Sequence, residues 1–266
     1  MDVNAIVYAA VVLGGLGVLF GAILTFADKK FAVPVDERFV LVREAVAGAN
    51  CGACGYPGCD GYANAVVKGK AGIELCTPGG QKTLDALANI MGKESAQTEV
   101  QVARVLCQGE TGVVKPRYDY AGPHQTCHTA VSLAGGPSMC VWGCVGLGDC
   151  VKVCRFDAMK IENGIVVIDE NKCTACGMCV MECPRSVIKL LPKAARVTVR
   201  CQNQAAPRDA KESCDRACIA CRRCVKACQF DAIHVNDNIA LIDPHKCTLC
   251  GECVKVCPTN AIEQLA

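Results

Sequence analysis

The first thirty residues carry one long apolar segment. Residues 3–27 contain no charged side chain, and a helix needs about 20 apolar residues to cross the hydrocarbon core of a membrane. Four glycines lie between positions 14 and 21; they would weaken a helix in water, but small residues allow close helix contact in lipid. The pattern predicts a transmembrane anchor over residues 1–28.

A secretory signal peptide is the alternative for this segment. It would begin with basic residues, have a shorter apolar stretch and end at a small-residue cleavage site. In this chain Asp2 precedes the apolar stretch, and Lys29 and Lys30 follow it. We therefore favour an uncleaved, single-pass anchor. The positive-inside rule then places the soluble domains on the cytoplasmic side of the cell membrane.

The rest of the chain shows only short periodic segments. Apolar residues at helical spacing predict a short helix within 34–49, and a second helix is expected over 60–68. Short β-prone pieces flank two turn signals, Asn163-Gly164 and residues 236–238, and these predict hairpins. Short helices together with hairpins predict an α+β fold.

Composition shows what must stabilise such short elements. Cysteine makes up 24 of the 266 residues and aromatic residues only 5%, so disulfides or metal sites must supplement a small apolar core. In a reducing cytosol, regular cysteine spacing indicates metal binding or catalysis rather than disulfides. A formal net charge of +2 argues against nucleic-acid binding, which would show a basic stripe.

The first cysteine group follows the anchor closely. It comprises Cys51, Cys54, Cys59 and Cys76, with the spacing C-x2-C-x4-C-x16-C. Intervening glycines let the backbone wrap around a bulky cluster, and a structural zinc site is the alternative. The uneven spacing resembles the small four-iron domain of Rnf-type B subunits and of corrinoid iron–sulfur proteins, which implies an iron–sulfur cluster here.

A 74-residue repeat organises the C-terminal half of the chain. Cys150, Cys154, Cys173, Cys176, Cys179 and Cys183 reappear at a constant offset as Cys224, Cys228, Cys247, Cys250, Cys253 and Cys257. Upstream, the same period pairs Cys127 with Cys201, Cys140 with Cys214 and Cys144 with Cys218. The two copies should therefore share one fold.

Three cysteine runs in the repeat have ferredoxin-type spacing. Runs from Cys173 and Cys247 read C-x2-C-x2-C-x3-C-P, and the run from Cys218 has Gln229 in place of the proline. Such runs bind four-iron clusters, and the fourth cysteine goes to the other cluster, whereas zinc favours two C-x-x-C pairs. The crossed pattern predicts one cluster on Cys218, Cys221, Cys224 and Cys257 and another on Cys228, Cys247, Cys250 and Cys253.

The first copy departs from this pattern at Leu147, whose repeat partner is the expected ligand Cys221. Cys140 is the nearest replacement. This gives one cluster on Cys140, Cys144, Cys150 and Cys183 and another on Cys154, Cys173, Cys176 and Cys179. With the N-terminal group, five [4Fe-4S] clusters are expected on 20 cysteines.

Four cysteines remain: Cys107, Cys127, Cys201 and Cys214. They could hold a sixth cluster. A symmetric alternative builds that cluster from Cys127, Cys140, Cys201 and Cys214 and lets Cys107 fill the gap at Leu147. Buried free thiols are a third alternative, because cysteine packs well as a small apolar residue. Spacing alone does not choose between these arrangements.

The order of these features divides the chain into an anchor (1–28), a 4Fe-4S domain (34–93), a connecting segment (94–139), ferredoxin module 1 (140–193) and ferredoxin module 2 (201–266). Over nearly its whole length the chain resembles the B subunits of Rnf-type ion-translocating ferredoxin:NAD oxidoreductases, in their long form with two ferredoxin modules. The resemblance implies an iron–sulfur relay with soluble ferredoxin as electron donor. It also implies membrane and peripheral partner subunits, and electron flow coupled to Na⁺ or H⁺ transport.

No catalytic residue is predicted. The chain has no phosphate-binding loop, and no GxGxxG motif follows a strand and opens a helix. The resemblance therefore implies a subunit of a translocase-type oxidoreductase (EC class 7) that has no catalytic site of its own. The alternatives are a polyferredoxin subunit of another membrane complex such as an energy-converting hydrogenase, an electron donor associated with a corrinoid protein, and a zinc scaffold.

Basic residues are densest beside one predicted cluster, at Arg216, Arg222, Arg223 and Lys226. An oxidised four-iron cluster on four thiolates carries a charge of about −2, so five clusters would make the whole chain acidic. A local basic surface would then be needed to steer an acidic ferredoxin to the chain. Our hypothesis is that module 2 accepts the electron here; the alternative is a solvated face that balances cluster charge.

Overall fold

The computed structural model describes residues 3–31, 36–121 and 125–265. The chain forms two compact units, Met1–Val40 and Leu41–Ala266. Residues 34 and 35, at the start of the expected 4Fe-4S domain, lie outside the described residues. Helices and strands are both present in short pieces, as the α+β prediction requires.

The first unit contains helix α1 (Val3–Phe31). Its segment Val11–Phe31 is long and apolar enough, by length and composition, to cross a membrane. The described side chains of α1 are almost all exposed, which is the arrangement expected of a helix that contacts lipid rather than a protein core. Lys29 and Lys30 lie in the last turn, where positive charge complements the helix dipole.

Three helices and two short 3₁₀ turns build the region around the first cysteine group. They are α2 (Glu37–Ala45), α3 (Gly58–Val67), the turns Ile73–Leu75 and Thr77–Gly79, and α4 (Gly80–Met91). Val42, Tyr62, Val66 and Leu87 form the buried core of this region. Helix α4 ends at Gly92, whose φ of 63° is the left-handed cap that glycine favours.

Four two-stranded antiparallel sheets build the two ferredoxin modules. The strand pairs are β1 (Gln101–Val105) with β4 (Ile188–Pro192), β2 (Met159–Glu162) with β3 (Ile165–Ile168), β5 (Val197–Val199) with β8 (Ile262–Gln264), and β6 (Ile233–Asn236) with β7 (Ile239–Ile242). The predicted hairpin turns at Asn163-Gly164 and Asp237-Asn238 are present, and all four residues have positive φ, as tight hairpins require.

Short helices lie next to the cysteine loops. They are α5 (Cys127–Ser132), α6 (Asp149–Lys152), α7 (Met178–Glu182), α8 (Pro207–Ser213), α9 (Arg223–Ala227) and α10 (Glu252–Lys255). Such short helices are marginal in water by themselves. Their positions must therefore depend on packing and on the groups that the cysteines bind.

The 94–139 segment does more than connect. It supplies β1 to the sheet of module 1 and also binds module 2, because Lys115 N–H donates to Ser213 O over 3.0 Å and Asp215 N–H donates to Val113 O over 3.1 Å. Val105 and Cys107 belong to the apolar core of module 1. This segment therefore joins the two modules into one packed body.

Candidate metal centres

Site A consists of the first cysteine group, Cys51, Cys54, Cys59 and Cys76. Cys59 is the second residue of α3, and its N–H donates to Asn50 Oδ1 over 2.8 Å. Tyr62, one turn further along, is 1% exposed and donates to Gly72 O over 2.9 Å. Burial raises the pKa of Cys76, and the nearby thiolates of Cys59 and Cys51 add to the rise. Cys51 and Cys59 thus lie near Cys76, and Cys54 and Cys76 both lie near Tyr62.

The two modules contain four cysteine loops with a common backbone shape. The middle cysteine position of these loops is residue 147, 176, 221 or 250. In each loop, the residues directly before and after that position have positive φ, between 51° and 81°. The pairs are Gly146 and Gly148, Ala175 and Gly177, Ala220 and Arg222, and Leu249 and Gly251. The loop around Leu147 therefore keeps the ferredoxin shape, although it lacks the middle cysteine.

Three sites have the composition that the crossed pattern predicts. Site B comprises Cys154, Cys173, Cys176 and Cys179; the last has its pKa raised to about 12 by burial and by the other three thiolates. Site E comprises Cys218, Cys221, Cys224 and Cys257, which line one cavity. Site F comprises Cys228, Cys247, Cys250 and Cys253, which line another. The structure thus brings these twelve thiols together as expected, and their binding of iron stays a prediction.

Site C corrects the expected set for module 1. The cysteines that line its cavity are Cys127, Cys144, Cys150 and Cys183. The expected replacement Cys140 does not line this cavity. Instead, Cys127 at the start of α5 takes the place that Leu147 leaves open. Burial raises the pKa of Cys150 to about 12, and the thiolate of Cys127 is one of the neighbours that add to this rise.

Asp149 holds Cys127 at site C. Its carboxylate is 6% exposed and accepts the N–H of Cys127 over 2.7 Å and that of His128 over 3.4 Å. An acidic group at the first N–H groups of a helix is favourable. The repeat partner of Asp149 is Arg223, so this contact is specific to module 1, and the sequence pattern alone did not reveal it.

Site D lies between the modules and differs from both of the sets expected for a sixth cluster. Cys107, Cys140, Cys201 and Cys214 line its cavity, together with Cys144 of site C. Cys107 and Cys201 receive matching hydrogen bonds: the N–H groups of the repeat partners Cys144 and Cys218 each donate to one of these sulfurs over 3.3 Å. Cys107 and Cys201 therefore occupy corresponding positions, and site D is related to both modules by pseudo-symmetry.

Strand pairing explains why the constant period of the repeat misassigned Cys107 and Cys127. Val105 of β1 pairs with Ile188, and Val199 of β5 pairs with Ile262. Ile188 and Ile262 are repeat partners, so the residues that follow these two strands are structurally equivalent. Cys107 therefore corresponds to Cys201 in space, although the period pairs Cys127 with Cys201.

The chemistry of the donor sets fits iron–sulfur clusters. Each site offers four sulfur ligands, and backbone N–H groups donate to several of these sulfurs, including Ala103 to Cys173 and Ala261 to Cys257 at 3.3 Å each. Hydrogen bonds to sulfur are one of the means by which proteins tune such clusters. Burial raises the pKa of Cys201 to about 12. Metal-free thiols here would be protonated at neutral pH, and metal binding would release protons.

Neighbouring sites lie close to one another along one series. Sites C and D touch through the Cys144 N–H to Cys107 sulfur bond, and sites D and E through the Cys218 N–H to Cys201 sulfur bond. At the E–F junction, burial raises the pKa of Cys253 to about 11 and the thiolate of Cys224 adds to the rise.

The other half of the series shows the same closeness. Cys179 of site B is among the thiolates that add to the effect of burial on the pKa of Cys150. Burial also raises the pKa of Cys176, and the thiolate of Cys51 in site A adds to this rise. Arg155 Nη1 donates to Ala49 O over 3.1 Å, which fixes site A beside module 1. The sites therefore lie near one another in the order A, B, C, D, E, F, with hydrogen bonds to sulfur joining C to D and D to E.

Comparison with known families finds matches in both cysteine-rich parts of the chain. Residues 47–78 match the family described as "Putative Fe-S cluster". Residues 166–189, 216–234 and 240–263 match the family described as "4Fe-4S binding domain". The N-terminal group and the three ferredoxin-type runs are thus recognised as iron–sulfur sequences.

Three relatives are similar over most of their length. The B subunit of the Na⁺-translocating ferredoxin:NAD⁺ oxidoreductase complex of Acetobacterium woodii is 46% identical over 92% of this chain and 73% of its own. The B subunit of the ion-translocating oxidoreductase complex of Methanosarcina acetivorans is 36% identical over 98% of both chains. The B subunit of the proton-translocating ferredoxin:NAD⁺ oxidoreductase complex of Clostridium ljungdahlii is 36% identical over 92% of this chain and 86% of its own.

Proposed function

Because this chain belongs to the family of B subunits of Rnf-type ion-translocating oxidoreductase complexes, we propose that it relays electrons from a reduced soluble ferredoxin towards the NAD-reducing part of such a complex. Electron flow through the complex would drive the transport of Na⁺ or H⁺. The chain would act as one subunit of a translocase (EC class 7), beside other membrane and peripheral subunits.

The series of closely spaced sites from A to F carries this proposal. When bound, a [4Fe-4S] cluster takes up and releases single electrons at a potential that its surroundings set. The chain would hold six such clusters, one at each site, and the closeness of neighbouring sulfur sets supports electron transfer along the series. Site D is essential to this arrangement because it lies between the two modules.

The exposure of sites E and F supports module 2 as the place of electron entry. Cys221 of site E and Cys250 of site F are exposed, whereas the cysteines of sites C and D are buried or half-buried. Arg222, Arg223 and Lys226 are exposed next to Cys221. A soluble, acidic ferredoxin could approach sites E and F closely here, and the basic side chains would steer it.

Membrane attachment would come from α1. The helix has the length and composition to span a bilayer, and the position of Lys29 and Lys30 at its end favours the cytoplasmic side for the residues that follow. This orientation would expose module 2 to soluble ferredoxin. We therefore propose a single-pass protein of the cell membrane with its cluster domains in the cytoplasm.

The proposal is tested on the full chain, purified anaerobically in detergent. About 24 irons per chain are expected, four for each of six clusters, with a broad visible absorption that bleaches when reduced ferredoxin is added. Stoichiometric zinc in place of iron, or fully loaded protein that reduced ferredoxin does not bleach, would contradict it.

A break in the middle of the series provides the sharper test. In the assembled complex, Cys201→Ser should remove ferredoxin-driven NAD reduction while ferredoxin still bleaches sites E and F. The control is Gln204→Ser, at a nearby exposed position, which should keep the activity. Normal NAD reduction by the Cys201→Ser complex would show that electrons do not pass through site D.

A further inference from the structure

Arg185 lies between two of the candidate metal centres. It follows the Cys183-Pro184 pair and lines the cavity of site C. Its Nη1 donates to the carbonyl oxygens of Cys140 over 2.9 Å and of Gly143 over 2.7 Å, and its Nη2 donates to Gly135 O. One guanidinium thus borders site C and also binds the loop that carries Cys140 of site D.

Arg185 is half-buried and lies near several cysteine sulfurs. Its Nε is buried and has no hydrogen-bond partner among the described residues. Burial lowers the pKa of Arg185, whereas the thiolates of Cys140, Cys144, Cys107 and Cys127 raise it. Arginine nevertheless keeps its charge in proteins. The side chain is therefore a fixed positive charge that acts on both sulfur sites.

The neighbouring backbone leaves room for this side chain. A Cβ atom at Gly136 would collide with Arg185 Nη2, and the φ of Gly136 is +98°, a conformation that glycine adopts readily. In module 2 the repeat partner of Arg185 is Thr259, which is 8% exposed and uncharged. This half-buried charge therefore belongs to module 1.

We propose that the positive charge of Arg185 raises the reduction potentials of the clusters at sites C and D. This inference rests on the proposed function. A reduced cluster carries one more negative charge than an oxidised one, and a partly desolvated cation stabilises that extra charge. A higher potential at sites C and D favours electron transfer from sites E and F into the middle of the series.

The test uses Arg185→Gln, Arg185→Lys and Arg223→Gln in the full anaerobic chain. The last is a control, because Arg223 is exposed beside Cys224 of site E and water and salt screen its charge. Iron content is measured first. Reduction is then followed by electron paramagnetic resonance as a function of applied potential.

In Arg185→Gln, about one third of the reducible spins, two clusters of six, should titrate at lower potential. At a fixed potential their reduced-to-oxidised ratio should fall at least about tenfold, which for a one-electron couple is about 59 mV. Arg185→Lys should keep most of the original potential, because it keeps the charge. Arg223→Gln should shift the titration less than Arg185→Gln.

Two results overturn the inference. One is a fully iron-loaded Arg185→Gln protein with an unchanged titration, and the other is an equal shift in the Gln and Lys variants. If Arg185→Gln loses iron, retention of iron by Arg185→Lys supports the role of the charge, and loss in both variants overturns it. Absence of iron from the unmodified chain would instead overturn the proposed function.

Discussion

The two ferredoxin modules follow one repeat, but they expose their cysteines differently. Cys221 and Cys250 of module 2 are exposed. Their repeat partners in module 1 are Leu147, whose side chain has no metal-binding atom, and Cys176, which lies near site A and is half-buried rather than exposed. Module 2 thus exposes one cysteine at each of its two sites, whereas the cysteines of sites B and C in module 1 are buried or half-buried.

The comparison also shows how one backbone accommodates two ligand sets. The loops around Leu147 and Cys221 have the same pair of positive φ angles, so the loop itself does not decide the ligand. In module 1, Asp149 brings Cys127 to the cavity; in module 2, Cys221 comes from the loop. A ferredoxin site can therefore keep its shape while its fourth thiol comes from a distant segment.

Removal of iron is expected to have the largest effect on folding, because it removes the clusters that both modules need. Their cysteines lie on loops with small apolar cores, so metal binding and folding should be one event. Chelation should unfold residues 140–260 and leave α1 helical. Circular dichroism and hydrogen exchange of the metal-free chain measure this, and a full native signal without iron would contradict the expectation.

Exchanging the ligand at site C tests the difference between the modules. Cys127→Ser should cost one four-iron cluster, about four of 24 irons. Adding Leu147→Cys to this variant should restore the cluster, because the loop already has the shape of its counterpart in module 2. Iron and sulfide analysis decides; failure of the double variant to regain iron would mean that the two loops are not equivalent.

Charge reversal on module 2 tests its role as the entry point. Arg222→Glu combined with Arg223→Glu should slow ferredoxin-dependent reduction about tenfold or more at low salt, because steering is lost. The defect should shrink as ionic strength rises. Rapid-mixing spectroscopy measures the rate.

The matched control for this experiment reverses two exposed lysines of module 1, Lys160 and Lys189. It should leave the rate nearly unchanged. An equal effect of both double variants would indicate that net charge rather than a local surface governs docking, and unchanged rates at low salt would exclude Arg222 and Arg223 as a docking surface.

The smallest expected effect concerns the backbone at the matched positions Gly148 and Arg222. Arg222 has a φ of 59°, where a side chain costs roughly 1–2 kcal/mol. Arg222→Gly should stabilise the protein by less than about 1 kcal/mol, because glycine also loses more entropy on folding. Gly148→Ala should destabilise it by about 1–2 kcal/mol. Denaturant midpoints of the iron-loaded variants test this. Destabilisation by Arg222→Gly, or stabilisation by Gly148→Ala, would be incompatible with the shared loop shape.

Local signals in the sequence predicted the local parts of this structure. The hairpin turn at Asn163-Gly164 and the groupings of sites B, E and F follow from residues close together in the chain or from the repeat. Strands β1 and β5 were not predicted, because each pairs with a strand that lies far away in the sequence. Because β propensity depends on packing against the neighbouring strand, it did not by itself mark these two segments as strands.

The ligands of sites C and D depend on that long-range pairing. The constant period of the repeat aligned Cys127 with Cys201, but the equivalence of Cys107 and Cys201 comes from the register of β1 and β5 with their partners. Asp149 and Arg185 carry no motif that marks them. Their contacts exist only because α5 and the loop before Cys144 fold against the site.

An anomalous difference map at the iron edge, from crystals of the anaerobically purified chain, tests the account most directly. The account predicts six separate iron peaks in the order A to F, with one peak enclosed by Cys107, Cys140, Cys201 and Cys214 and another that has Cys127 as a ligand. A map without iron between the two modules, or with Cys140 completing site C, would contradict it.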